Sequence, residues 1–206
     1  MSARKVAVVY FVLMCSCSVS AAQLGKTQQL IRTEIFRLGG NFEGRSHPKL
    51  IQFESGFSEN DYEMLVHLPT ASTLYINNCT VDNFAVECIG KIRDLKHLAI
   101  TNSKITASDL SDLKANKKLE SLNLESCTVT PVALRKLDSL KSLKSLSIEF
   151  VQVPPMFANV VSKMNWLKGC HLMIYTEATI SDYEKVETNM PGTEFSINIL
   201  KQDRNK

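Results

Sequence analysis

Leu74, Leu98, Leu122, Leu146 and Cys170 stand 24 residues apart without a slip, and Ile76, Ile100, Leu124, Ile148 and Leu172 follow them two residues later. A fixed period of this kind marks a chain built from stacked copies of one supersecondary unit, and it narrows the possible folds more than composition does. Within a unit the spacing changes. In "LESLNLESCTVTPVALRKLDSLKSLKSLSI", residues 119–148, positions 122 and 124 alternate as on a strand, whereas 134, 137 and 140 recur at the spacing of a helical turn. Val81, Ile105, Val129 and Val153 keep the period as well, and the residues after them, Asp82, Thr106, Thr130 and Pro154, predict helix starts. Thr130 before Pro131 supplies an N-cap followed by proline at the first helical position, where its missing N–H costs nothing. Thr106 with Asp109 has the spacing of a capping box, with Asp in place of Glu.

One unit therefore predicts a short L-x-L strand, a loop, and a helix that returns over the back. A single unit cannot bury its own apolar stripe, but neighbours stacked side by side share a continuous core, each buried Leu or Ile contributing roughly 1.5–3 kcal/mol. Parallel strands joined by helical crossovers give a right-handed α/β solenoid, with about seven strands on the concave side and helices on the convex side. The array extends both ways. Phe57, Ser58, Tyr62, Leu65 and Leu68 occupy matching places in an earlier unit beginning near Leu50. Downstream, Ser181 and Glu184 repeat the capping pair three residues late, and 192–199 predicts a closing strand after an irregular last repeat.

The segments "LESLNLESCTV" and "LKHLAITNSKI" fit the pattern L-x-x-L-x-L-x-x-(N/C/T)-x-(L/I) and resemble the leucine-rich repeat, in the short form common in exported bacterial members and with a ribonuclease-inhibitor-like solenoid. The resemblance covers roughly residues 50–197. "QQLIRTEIFRLGGNFE" resembles the amphipathic helix and Gly-Gly turn that cap such arrays, with Leu30, Ile31, Ile35 and Leu38 as its apolar stripe. The family's asparagine position, whose side chain bonds neighbouring loop backbone, reads Cys79, Ser103, Cys127, Val151 and Tyr175 here. That departure predicts a broken asparagine ladder, with the least regular loops after Glu149.

The start of the chain has the order of a secretory signal: Arg4 and Lys5, an apolar run from Val6 to Met14, then small residues ending at Ser20 and Ala22. An uncleaved anchor is the competing possibility, but the run is shorter than the ~20 residues that span a bilayer. A lipidated Cys17 fits the preceding residues poorly. The expected organisation is a signal peptide over 1–22, a capping helix and turn over 23–49, the repeat domain over 50–200 and a polar tail over 201–206. Without the signal the charges nearly balance, which supplies no electrostatic case for nucleic acid or anionic membranes. The implied location is secreted, periplasmic or in the cell envelope.

Cys79, Cys88, Cys127 and Cys170 remain in the processed chain. Cys79 and Cys127 lie two units apart, ~10 Å at ordinary strand spacing, beyond the reach of a disulfide. Cys88 falls on the helical side and Cys170 takes a core position, so all four are expected to be buried thiols. No C-x-x-C or H-x-x-x-H spacing points to a metal, and no motif implies a cofactor.

If Leu74, Ile76 and their equivalents point inward, the residues between them face outward on the concave surface in three rows. Tyr75, Ala99, Asn123, Ser147 and His171 form one; Thr73, His97, Ser121, Ser145 and Gly169 another; Asn77, Thr101, Glu125, Glu149 and Met173 the third. Candidate partner contacts are Tyr75, His97, Asn123, Glu125, Glu149 and His171. His97 and His171 should sit three strands apart, too far to act on one small group. Glu125 and Glu149 should be neighbours, a spot that attracts a basic side chain of a partner. Two carboxylates ~5 Å apart also occur in retaining glycosidases, so a hydrolase is a minor alternative. The leading expectation is a non-enzymatic protein-binding module, with a structural or tethered envelope component as the alternative.

Overall fold

The computed structural model describes residues 41–43, 50–53, 62–63, 65, 71–108, 110–176 and 179–200. The expected signal peptide, the capping helix, Phe57, Ser58, Leu68, Asp109 and the polar tail lie outside the described residues. An eight-stranded sheet carries the fold: β1 (Asn41–Glu43), β2 (Leu50–Phe53), β3 (Thr73–Asn77), β5 (His97–Thr101), β7 (Ser121–Glu125), β9 (Ser145–Val153), β10 (Gly169–Thr176) and β11 (Glu194–Leu200), adjacent in that order. Every pair is parallel except β1 with β2. Leu74, Leu98, Leu122, Leu146 and Cys170 are in register on successive strands, as the period requires. All five are buried in one core that continues through Ile76, Ile100, Leu124, Ile148 and Leu172.

The period slips at both ends. Ile51, not Leu50, pairs with Leu74, and Phe195 pairs with Cys170, so the outermost units depart from 24 residues. Terminal repeats of a solenoid must close the core rather than stack, and their length is freed accordingly.

A second sheet is absent from the sequence-based expectation. β4 (Thr80–Val81), β6 (Lys104–Ile105) and β8 (Thr128–Val129) pair in parallel beside the main sheet. The periodic Val81, Ile105 and Val129 thus belong to strands. Between β3 and β4, and at the matching places onward, the backbone turns through Asn78, Asn102, Ser126 and Phe150, all with φ near +50°. Asn tolerates that left-handed conformation and a bulky aromatic does not, so Phe150 is the strained member. Val151 pairs with Ile174 directly after Glu149 pairs with Met173, leaving Phe150 as the extra residue of a bulge. Beyond it β9 runs on to Val153 in the main sheet, which is the irregularity expected after Glu149.

The convex side holds shorter helices than the leucine spacing suggests. α1 (Asn83–Gly90) is capped by Asp82, which accepts from the Ala85 N–H at 2.8 Å. α2 (Pro131–Leu134) starts as expected, Thr130 accepting from the Ala133 N–H with Pro131 at the first turn. The unit after Thr106 forms only a 3-10 helix, Ser111–Ala115, and Leu137–Ser139 is another. Once strand, turn and second strand are placed, a 24-residue unit has few residues left for a helix, and 3-10 turns cover the distance with a longer rise per residue. Pro154 does not cap α3 (Phe157–Val161), which begins after Met156. α4 (Ile180–Thr188) begins after Thr179, whose hydroxyl bonds the Asp182 carboxylate at 2.8 Å. Ser181 and Glu184 are therefore inside this helix rather than its cap.

Candidate functional site

The pleat of the main sheet places the three rows as the alternation predicts, with the intervening leucines and isoleucines inward. Tyr75 is 43% exposed at one end of the central row, and Gln52 lies beside it on β2. Next comes Ala99, which is buried, then Asn123, Ser147 and His171, all half-buried. His97 is exposed in the second row and sits on β5, three strands from His171 on β10.

Glu125 and Glu149 pair directly across β7 and β9, both half-buried. The Ser147 hydroxyl donates to Glu149 Oε1 at 2.9 Å, and His171 Nε2 lies 4.0 Å from the same oxygen. Asn123, two residues before Glu125 on the same face, has its Oδ1 enclosed with no donor among the described residues. The face thus gathers acceptors at β7 and β9, one of which the Ser147 hydroxyl already serves. Of the six candidates, Asn123, Glu125, Glu149 and His171 come together on three adjacent strands, whereas Tyr75 and His97 stand apart on β3 and β5.

Several contributing residues were not singled out from the sequence. Asn77 accepts from the Thr101 hydroxyl at 3.1 Å and from Asn102 Nδ2 at 3.0 Å, tying two rungs together at the rim of the face. The asparagine position is filled by a substitute. Ser103 accepts from the Cys79 N–H at 3.1 Å and donates to Thr101 O at 2.7 Å, while the Cys127 thiol donates to Ile100 O at 3.2 Å. Small donors thus keep part of the ladder. Behind the face, Cys79, Cys88, Cys127 and Cys170 are buried thiols. Burial pushes the Cys88 thiol up to about 11 and that of Cys170 up to about 12.

His171 also lines a cavity of about 530 Å³ with Ser145, Gly169 and Glu194. Another, of about 660 Å³, opens between β8 and β9, lined by Val129, Pro131, Phe150, Pro154, Pro155 and Tyr175 among others. The sequence signal for it was the pair of prolines after the strained Phe150. No group of three or more His, Cys, Asp or Glu side chains converges among the described residues, and no helix among them is long and apolar enough to cross a membrane.

The stacked parallel rungs, the periodic left-handed turn and the shared core define a leucine-rich-repeat solenoid. A solved structure agrees on the fold. The chain is similar to an internalin (inlF) from Listeria monocytogenes, with 18% identity and a TM-score of 0.52 over 75% of this chain. It spans 39% of that internalin's length. It is also similar to internalin C2 (inlC2) of the same organism, at 14% identity and a TM-score of 0.47 over 77% of this chain and 75% of that one. No protein-family model matches the chain, and no curated protein matches it.

Proposed function

We propose that this chain is an exported, non-enzymatic recognition module that binds a protein partner on its concave sheet, with a basic side chain of that partner seated at Glu125 and Glu149. The observation that carries this is the in-register pair of half-buried carboxylates on one open face. A guanidinium is the natural complement, because its fork of N–H groups matches several oxygens at once. Tyr75 adds an exposed amphipathic ring, a residue type enriched at binding hot spots. His97 and His171 flank the contact.

The test is capture from the host envelope with the immobilised chain, comparing the unmodified protein with Tyr75→Ala and Glu125→Ala. Loss of one discrete captured protein with either variant supports the assignment. Unchanged capture by both removes this face. Replacing both Glu125 and Glu149 with Gln without loss of any detected hydrolytic activity disposes of the glycosidase alternative.

A further inference from the structure

The near-neutral charge of the whole chain conceals a strong segregation. Four segments lead into β5, β7, β9 and β10: residues 91–96, 115–120, 139–144 and 163–168. They carry nine lysines and arginines against two carboxylates, Asp94 and Glu120. The remaining described side chains carry five cations against eleven carboxylates. Both acids within the segments are already neutralised, Asp94 by Lys118 and Glu120 by Lys144 at 2.9 Å. Lys144 holds the Glu120 carboxyl below its ordinary value.

These segments are neighbours along one edge of the solenoid, and the backbone proves it. The N–H of Glu120 donates to Lys96 O at 2.8 Å, that of Lys144 to Glu120 O at 2.7 Å, and that of Lys168 to Lys144 O at 2.7 Å. Side chains stiffen the same edge. Asn116, buried, donates from Nδ2 to Ile92 O at 2.7 Å, and Trp166 Nε1 donates to Leu140 O at 3.2 Å. Arg93, Lys117 and Lys141 hold one repeat position, so they recur at the rung spacing of ~4.8 Å. Arg93 and Lys117 line an open recess of about 610 Å³ between their two rungs. Arg93, Lys96, Lys117 and Lys168 have no carboxylate at ion-pair distance among the described residues.

We propose that this edge docks an acidic polysaccharide, a linear polymer bearing carboxylate or sulfate groups on successive sugars. Charge complementarity selects a polyanion, and the shape selects a linear one: a strip four rungs long, roughly 15 Å, and two or three cations wide. A lipid surface fits less well. The large exposed apolar side chains, Tyr75, Phe84, Val132, Phe150, Met156 and Ile180, all lie outside the strip, so nothing on it enters an acyl layer. Single-stranded nucleic acid needs open aromatic faces for its bases. Trp166 is the sole aromatic residue of these segments, and Lys141 Nζ covers its ring at 3.4 Å from the centroid. The site is separate from the concave face and stands whether or not that face binds a protein.

The full chain is titrated with polygalacturonate and dextran sulfate, with neutral dextran, vesicles of equal parts phosphatidylglycerol and phosphatidylcholine, oligothymidylate and duplex DNA as the other arms. The expected result is binding to the two acidic polysaccharides that weakens as salt rises. The combined substitution Arg93→Gln, Lys96→Gln and Lys117→Gln lowers affinity about thirtyfold, at roughly half a decade per cation. The combination Lys104→Gln, Arg135→Gln and Lys185→Gln removes the same charge elsewhere and leaves affinity unchanged. A second measurement needs no variant: bound polygalacturonate protects Lys96 and Lys117 of the unmodified chain from acetylation and leaves Lys104 and Lys185 reactive. Equal losses in the two triple variants, uniform protection, no polysaccharide binding, or tighter binding to the vesicles or to DNA overturns the proposal.

Discussion

Glu125 and Glu149 face each other across β7 and β9 at the same register, on a fold whose periodicity could have placed any polar residue there. Like charges directly opposite on neighbouring strands are destabilising, by an amount of the same order as an attractive cross-strand pair. Glu125→Gln should therefore raise stability by about 0.2–1 kcal/mol in low salt. The gain should shrink at high ionic strength as the repulsion is screened. Urea unfolding at two salt concentrations reads both effects. If Glu125→Gln lowers stability, a cation satisfies the pair in the free chain and the basic-partner argument fails.

Gly90 ends α1 against the backbone of the next unit. A Cβ there would overlap the Asp112 carbonyl oxygen, a backbone atom that cannot swing aside. α1 and the 3-10 helix Ser111–Ala115 are thus held closer than any side chain permits. Gly90→Ala should cost about 1–3 kcal/mol as overpacking, despite alanine's better helix propensity. Gly192, with open space around its Cβ position but φ of +89°, should resist substitution for the separate reason of backbone conformation. Thermal midpoints of Gly90→Ala and Gly192→Ala measure the two effects.

The turn at 78, 102, 126 and 150 offers an internal comparison. Asn78 and Asn102 suit the left-handed conformation, and Phe150 adopts it at a cost of roughly 1–2 kcal/mol. Phe150 is also 41% exposed, so little packing offsets that cost. Phe150→Asn should stabilise the chain by about 0.5–1 kcal/mol, whereas Asn102→Ala should destabilise it by a similar amount. A destabilised Phe150→Asn would mean that the ring's contacts with the cavity beside β8 outweigh the strain.

The strand register, the buried face and the three outward rows were legible in the sequence because a pleated strand leaves no freedom between alternation and facing. Leu98, Leu122 and Leu146 needed no more than the period. The convex side was not legible to the same degree. Leu110 and Leu113, with Asn116 in the third place, keep the spacing of helical turns, yet the described residues of that unit form a 3-10 helix over Ser111–Ala115. Burial of the same side chains is compatible with either conformation, so apolar spacing does not discriminate between them. Asn116 reads as an interruption of the leucine series, and its use becomes visible only when Ile92 O appears one rung away. The segregation of charge was hidden for the same reason. Net balance sums over the chain, while the period gathers lysines from four separate segments onto one edge.

The buried thiols and Tyr183 set the behaviour of the chain in alkali. Burial raises Cys88 to about 11, Cys170 to about 12 and Tyr183 to about 12, the last against an opposing pull from the Thr176 side chain. In the unfolded chain these groups ionise near 9 for a thiol and 10 for a phenol. Between those values and the folded ones the unfolded chain holds fewer protons than the folded chain, so rising pH favours unfolding. Their contribution to stability is fully present below about pH 9 and is lost as pH rises through 11 to 12. Urea midpoints should accordingly hold level from pH 7 to about 8.5 and then fall steeply. Cys170→Val, which removes one titrating group and keeps an apolar side chain, should make that fall shallower. At pH 8 all four thiols should react with iodoacetamide only as fast as the chain opens, and at full speed in denaturant. Rapid labelling of Cys88 or Cys170 in the native chain at that pH would place the thiol on the surface and contradict the stacked core that the 24-residue period builds.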